Sequence, residues 1–139
     1  MGNGPNNNYL KYYNILDIIG NGEFGTIFKG REIKTNELRA IKVIKLDELK
    51  GSIIAYNDEK EDSEKKFQTC IDGFIQECEN MKACSNINSV KFYEYFQEKN
   101  IFVIIMELCD CNLSQLLLKN NGGFNEKEIY EIMKQSKCI

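Results

Sequence analysis

The chain has 139 residues, 42% of them apolar, a net charge of −3 and no histidine. That length fits one domain, at about 100–200 residues per domain, with enough apolar content for a core. The slight acidity gives no electrostatic reason to expect nucleic acid or an anionic membrane as partner. No apolar run nears the roughly 18 residues of a membrane span.

Residues 1–11 are polar and lack the basic and apolar regions of a signal peptide, so a disordered lead-in is expected. Gly2 stands where a myristoylated glycine would, but Asn6 replaces the required Ser or Thr and excludes that signal. Without an export signal the expected compartment is the reducing cytoplasm. Residues 12–20 read as a strand ending in glycine, and 26–33 are β-branched and aromatic enough for a second. Lys34-Thr35-Asn36 makes a polar turn into a third strand over 37–45, completing an antiparallel meander. Residues 46–66 fit neither helix nor strand template. Their charged run, Asn57 to Lys66, reads as a solvated loop.

Phe67, Cys70, Ile71, Phe74, Cys78 and Met81 then recur at three- and four-residue steps, the apolar stripe of a helix. Gly73 in its interior costs about 1 kcal/mol relative to alanine. Residues 92–97 and 101–107, parted by Glu98-Lys99-Asn100, form a second hairpin. A short helix is expected from Asn112 to Lys119. Another is capped by Asn125, with Ile129, Ile132 and Met133 on one face. The six cysteines include no C-x-x-C pair, and no histidine exists to complete a mixed zinc site, so no metal site is assigned.

Chemistry enters at Gly20-Asn21-Gly22-Glu23-Phe24-Gly25. G-x-G-x-x-G also occurs in dinucleotide-binding folds, where it opens a helix. Here Thr26-Ile27-Phe28-Lys29-Gly30 follows, a good strand and a poor helix start, so the loop joins two antiparallel strands as a flap. Glycines give such a flap backbone freedom. Seventeen residues beyond Gly25, Lys42 sits in the aliphatic strand Ala40-Ile41-Lys42-Val43-Ile44, sharing a face with Leu38, Ala40 and Ile44. An ammonium placed there needs partners. Phosphate oxygens and a carboxylate would serve, and Glu77, beside the helical stripe, is the candidate carboxylate.

These residues resemble the N-terminal lobe of a eukaryotic protein kinase, from about Tyr13 to the end of the chain. Residues 20–27 resemble the glycine-rich loop, with Ile27 where the family usually has valine, and Ala40-Ile41-Lys42 resembles the strand-three lysine motif. Phe74-Ile75-Gln76-Glu77 resembles the C-helix segment, and Ile101 to Cys109 the fifth strand and hinge. The resemblance implies an α+β fold: a five-stranded antiparallel sheet with one main helix, plus the start of a helical C-lobe. It divides the chain into the lead-in 1–11, an N-lobe at 12–109 with an insertion at about 48–65, and a C-lobe beginning at 110–139.

It further implies that the substrate is ATP, under Gly20, Asn21, Gly22, Glu23, Phe24 and Gly25. Lys42 would hold the α- and β-phosphates and Glu77 would orient Lys42. Ile27 and Ala40 would press on the adenine, with Met106 as gatekeeper and the backbone of Glu107 and Cys109 at the ring edge. Asn112 or Ser114 would meet the ribose. No H-R-D, D-F-G or A-P-E motif occurs in the 139 residues. Mg²⁺ and the protein substrate are therefore expected to be held by residues absent from this chain, which alone would not phosphorylate. Residues around the hinge point to a serine/threonine enzyme. The rival reading is a short non-catalytic protein that binds nucleotide or competes for a kinase's partners.

Overall fold

A computed structural model describes residues 8–56, 60–84 and 86–135. Among them, five strands form one antiparallel sheet: β1 (Tyr13–Asn21), β2 (Gly25–Glu32), β3 (Leu38–Lys45), β4 (Phe92–Gln97) and β5 (Ile101–Met106). Their order is β1-β2-β3-β5-β4. The same residues hold four helices, α1 (Leu46–Ala55), α2 (Lys60–Ala83), α3 (Leu113–Lys119) and α4 (Glu126–Gln135). The expected α+β architecture, a five-stranded sheet with one main helix, is present.

Strand alternation gives the sheet two apolar faces. On β3 the pairs Ala40–Met106, Lys42–Ile104 and Ile44–Phe102 place these side chains on one face with their β5 partners. Ile71 and Cys78, two helical turns apart on α2, pack there with Ile44, Leu46, Leu49, Phe102 and Ile104. Phe102 stacks on Tyr95 at 5.2 Å and meets Phe74 of α2 at 5.6 Å. The other face carries Ile41, Val103, Ile105 and Phe96, covered by Tyr9 and Tyr13. Burying each such large side chain contributes about 1.5–3 kcal/mol.

Two expectations are corrected. The lead-in does not run to residue 11. Tyr9–Lys11 form a 3-10 turn capped by the Asn8 side chain, and Tyr9 is buried with its N–H donating to Glu98 Oε1 at 3.1 Å. The physical reason is aromatic: Tyr9, Tyr12 and Tyr13 all surround the Phe96 ring, with centroids 5.9–6.4 Å away. Residues 1–7 lie outside the described residues.

The second correction concerns 46–66. Leu46 and Leu49 are buried on α1, and α2 begins at Lys60 rather than near Phe67. From Lys60 onward the charge run is helical because its charges pair at helical spacing and across helices. Lys66 meets Asp62 at 2.9 Å and Lys50 of α1 meets Glu64 at 2.8 Å. Residues 57–59, at the start of the run, lie outside the described residues.

Arg39 shows how β3 carries a buried cation on the face away from α2. Its guanidinium lies 3.9 Å from the Tyr93 ring centre and pairs with Glu37 at 2.7 Å and Glu32 at 3.4 Å. Beyond the sheet, Asn112 and Asn125 each close a capping box, with Gln115 and Glu128; the Asn125 cap falls where the sequence places it, and Asn112 caps the short helix expected to begin there. The apolar side chains Leu118, Tyr130 and Met133 of α3 and α4 stand exposed.

Candidate functional site

The turn between β1 and β2 folds back over the face that carries Lys42. Gly22 N–H donates to the Gly25 carbonyl at 2.8 Å, and Thr26 Oγ1 donates to Asn21 Oδ1 at 3.3 Å. Gly25 pairs with Ile44 on β3, so closely that a Cβ on Gly25 would overlap the Val43 carbonyl oxygen. Glycine is required there by close approach. Gly20 and Gly22 have room for a side chain and no positive φ. Of the three glycines expected to need conformational freedom, the unliganded backbone requires only Gly25.

Under this turn lies a cleft of about 330 Å³. Asn21, Gly22, Glu23, Phe24, Gly25, Ile27 and Lys42 line it, all of them singled out from the sequence, together with Ile44 and Phe74. The last two were legible only as core. Ile44 lies two residues from Lys42 on the same face, and Phe74 belongs to the helical stripe. Lys42 is half-buried, and among the described residues it forms no ion pair within 4 Å. The cleft therefore holds the Lys42 ammonium, backbone amides and apolar walls, with Asn21 and Glu23 on the turn above; the ammonium and amides are the groups that would take an anionic ligand with an apolar body.

Glu77 forms no ion pair with Lys42 in this structure, so the expected pair is not made in this arrangement. Glu77 is exposed while its neighbour Cys78 is fully buried toward the sheet. Successive helical residues point about 100° apart, so α2 can present one of them to β3 but not both. Burying a thiol favours the observed rotation, and burying a carboxylate opposes it unless the pair is made. Burial pushes the Cys78 thiol up to about 11. Glu77 and Glu79 add to the rise, and the Lys42 charge opposes it. Of the two, Cys78 is thus the residue that α2 turns toward the sheet, near enough for the Lys42 charge to act on its thiol.

The hinge residues stand apart from the cleft. Ala40 and Met106 are paired across β3 and β5, and Ala40 is buried, but neither lines the cavity under the turn. Glu107 is held at both ends by Lys91. Its N–H donates to the Lys91 carbonyl at 2.8 Å, and its Oε2 accepts from Lys91 N–H at 3.0 Å. Cys109 is exposed, and partial burial of its thiol, with Glu107 and Asp110 nearby, raises its pKa. Asn112 is occupied in capping α3, and Ser114 lies in the first turn of that helix. Gly20 contacts Ile27 rather than the cavity. The sheet thus gathers Asn21 to Gly25, Ile27 and Lys42 around the cleft and leaves Gly20, Ala40, Met106, Glu107 and Cys109 outside its lining. Among the described residues no three metal-ligating side chains converge. No helix among them is long and apolar enough to cross a membrane.

Comparison with known proteins bears on this arrangement. The family model described as "Protein kinase domain" matches residues 13–137. The serine/threonine-protein kinase ppk11 of Schizosaccharomyces pombe is 28% identical over 123 residues, covering 88% of this chain and 34% of that protein. The serine/threonine-protein kinase KIC1 of Saccharomyces cerevisiae is 33% identical over 127 residues, 88% of this chain and 10% of its own length. Homeodomain-interacting protein kinase 4 of Mus musculus is 28% identical over 109 residues, 78% of this chain and 15% of its own length. The chain therefore spans between about a tenth and about a third of the length of these curated relatives.

Proposed function

Because the chain belongs to the protein kinase domain family, we propose that it grips ATP for transfer of the γ-phosphoryl group to serine or threonine hydroxyls of protein substrates. One observation carries the reading: Lys42 reaches from an aliphatic strand into a cleft roofed by the glycine turn, with no carboxylate of the described residues paired to it. An ammonium desolvated in this way is stabilised by phosphate oxygens and gives them a fixed point of charge. The backbone of residues 21–25 closes over the same space, and Ile27 offers an apolar surface beside it.

Phosphoryl transfer depends on alignment and charge stabilisation more than on covalent participation by the protein. In this reading Lys42 holds the phosphates in line. Glu77 orients Lys42 when α2 turns by about one residue, roughly 100°. Met106, with the backbone of Glu107 and Cys109, takes the adenine edge, and Ala40 presses on the ring. Protein kinases use ATP with Mg²⁺, which would offset the negative charge of the phosphates during transfer. No residue of the cleft is assigned to the metal. We place the protein in the cytoplasm, with ATP and a protein substrate as its partners.

The test is transfer of labelled γ-phosphate from ATP by the full-length protein. Lys42→Met is expected to lower the rate at least about 100-fold while leaving the fold intact. Undiminished transfer would contradict the assigned role. Phosphotyrosine as the sole product would overturn the serine/threonine assignment alone.

A further inference from the structure

Phe24 lies at the tip of the glycine turn, a position that usually faces solvent, yet it is half-buried. It packs against the cluster built from Ile44, Leu49 and Cys78. It also lines two cavities at once. One is the cleft with Lys42; the other is a groove of about 410 Å³ between α1 and α2, whose walls include Leu49, Ile53 and Cys70. On α2 the wall of the cleft is Phe74 and the wall of the groove is Cys70, one helical turn earlier. The tip is anchored as well, because Lys45 N–H donates to the Phe24 carbonyl at 2.8 Å.

We propose that Phe24 is a positioning residue for α2. Its ring partitions the cleft from the groove, props α2 in the rotation that turns Cys78 toward Lys42, and is displaced when nucleotide phosphates enter. The inference rests on the nucleotide reading above. Its physical basis is incompatibility within a small space. The phenyl ring lines the same cleft as Lys42, so phosphate oxygens that pair with Lys42 and the backbone amides would bring charge against the ring unless it moves aside. When the ring leaves, the groove loses one wall and α2 loses its prop. Nucleotide binding and helix position are coupled through one side chain.

The experiment is peptide-resolved alkylation of Cys70 by iodoacetamide in the full chain, with and without Mg-ATP, in wild type and Phe24→Ala. Calorimetry on the same samples monitors ATP binding. The expected wild-type result is a several-fold rise in the Cys70 rate on ATP binding. In Phe24→Ala the rate should be high already and insensitive to ATP. An unchanged nucleotide-free rate in Phe24→Ala would overturn the partition, even where ATP binds. ATP binding to wild type with no change in the Cys70 rate would overturn the displacement. Absence of ATP binding, with Cys70 still uncovered in Phe24→Ala, would overturn the nucleotide reading and the displacement that rests on it.

Discussion

The two halves of the phosphate site are built on different elements, and they fare differently. The strand-borne half, the glycine turn and Lys42, is assembled around one cleft. The helix-borne half is not: Glu77 faces solvent while Cys78 faces the sheet. On a strand, hydrogen-bonded register fixes which side a residue faces, and a slip by one residue would turn every side chain of β3 over. On a helix that packs by apolar contact, rotation is set by which side chains bury best, and a neutral thiol does so more readily than an unpaired carboxylate. A ligand or a changed contact can therefore reset the helix half, whereas the strand half is preset.

Phe102 joins the halves, so Phe102→Ala breaks the comparison most severely. It removes a fully buried ring that stacks on Tyr95 and touches Phe74 of α2. Chemical denaturation should show a loss of about 3–5 kcal/mol. A loss under about 1 kcal/mol would mean that α2 does not depend on this contact.

Gly25→Ala attacks the strand half alone. The new Cβ would overlap the Val43 carbonyl, so the turn must lift from β3 at a cost of about 1–3 kcal/mol. Gly22→Ala has open space and should stay within about 0.5 kcal/mol of wild type. Equal effects in the two variants would remove close approach as the reason for the third glycine.

The helix half is reported by Cys78. Burial raises its folded-state thiol from the ordinary 9.0 to about 11, so the folded state holds the proton more tightly than the unfolded chain. The resulting stability is fully present below pH 9 and is lost as pH rises toward 11. Across that window wild type should lose about 2 kcal/mol more than Cys78→Ala. Parallel pH profiles would place the thiol elsewhere than in the sheet–helix core. Burial of the Tyr13 hydroxyl and its 2.5 Å hydrogen bond to Glu94 also raise its pKa, so the difference between the two proteins is the informative quantity.

Glu77→Gln gives the smallest effect on folding, within about 0.5 kcal/mol, since an exposed carboxylate without an ion pair has little to lose. A loss of 2 kcal/mol or more in thermal unfolding would show that the unliganded protein already forms the pair with Lys42.

What the sequence makes legible follows the same division. Every strand is visible, because Val, Ile, Phe and Tyr cluster between turn residues. The caps Asn112 and Asn125 announce their helices through a side-chain oxygen three residues ahead of Gln115 and Glu128. The cleft is visible through the spacing of Gly25 and Lys42. The helix α1 is obscured because Gly51 and Ser52 interrupt Leu46, Leu49 and Ile53, whose three- and four-residue steps are the only signal. The start of α2 is hidden in a charge run whose pairing with Lys50 of α1 spans distant sequence. Tyr9 carries no periodicity at all; only the Phe96 ring, 87 residues away, explains its burial. The rotation of α2 is least legible, since Glu77 and Cys78 differ by one position and the stripe accommodates either.

The most direct test compares the affinities of Mg-ATP and adenosine for wild type and Lys42→Met by calorimetric titration. With Lys42 gripping the phosphates, wild type should prefer ATP by about tenfold or more. Lys42→Met should lose most of that preference while binding adenosine unchanged. The same preference for ATP in both proteins would contradict the account.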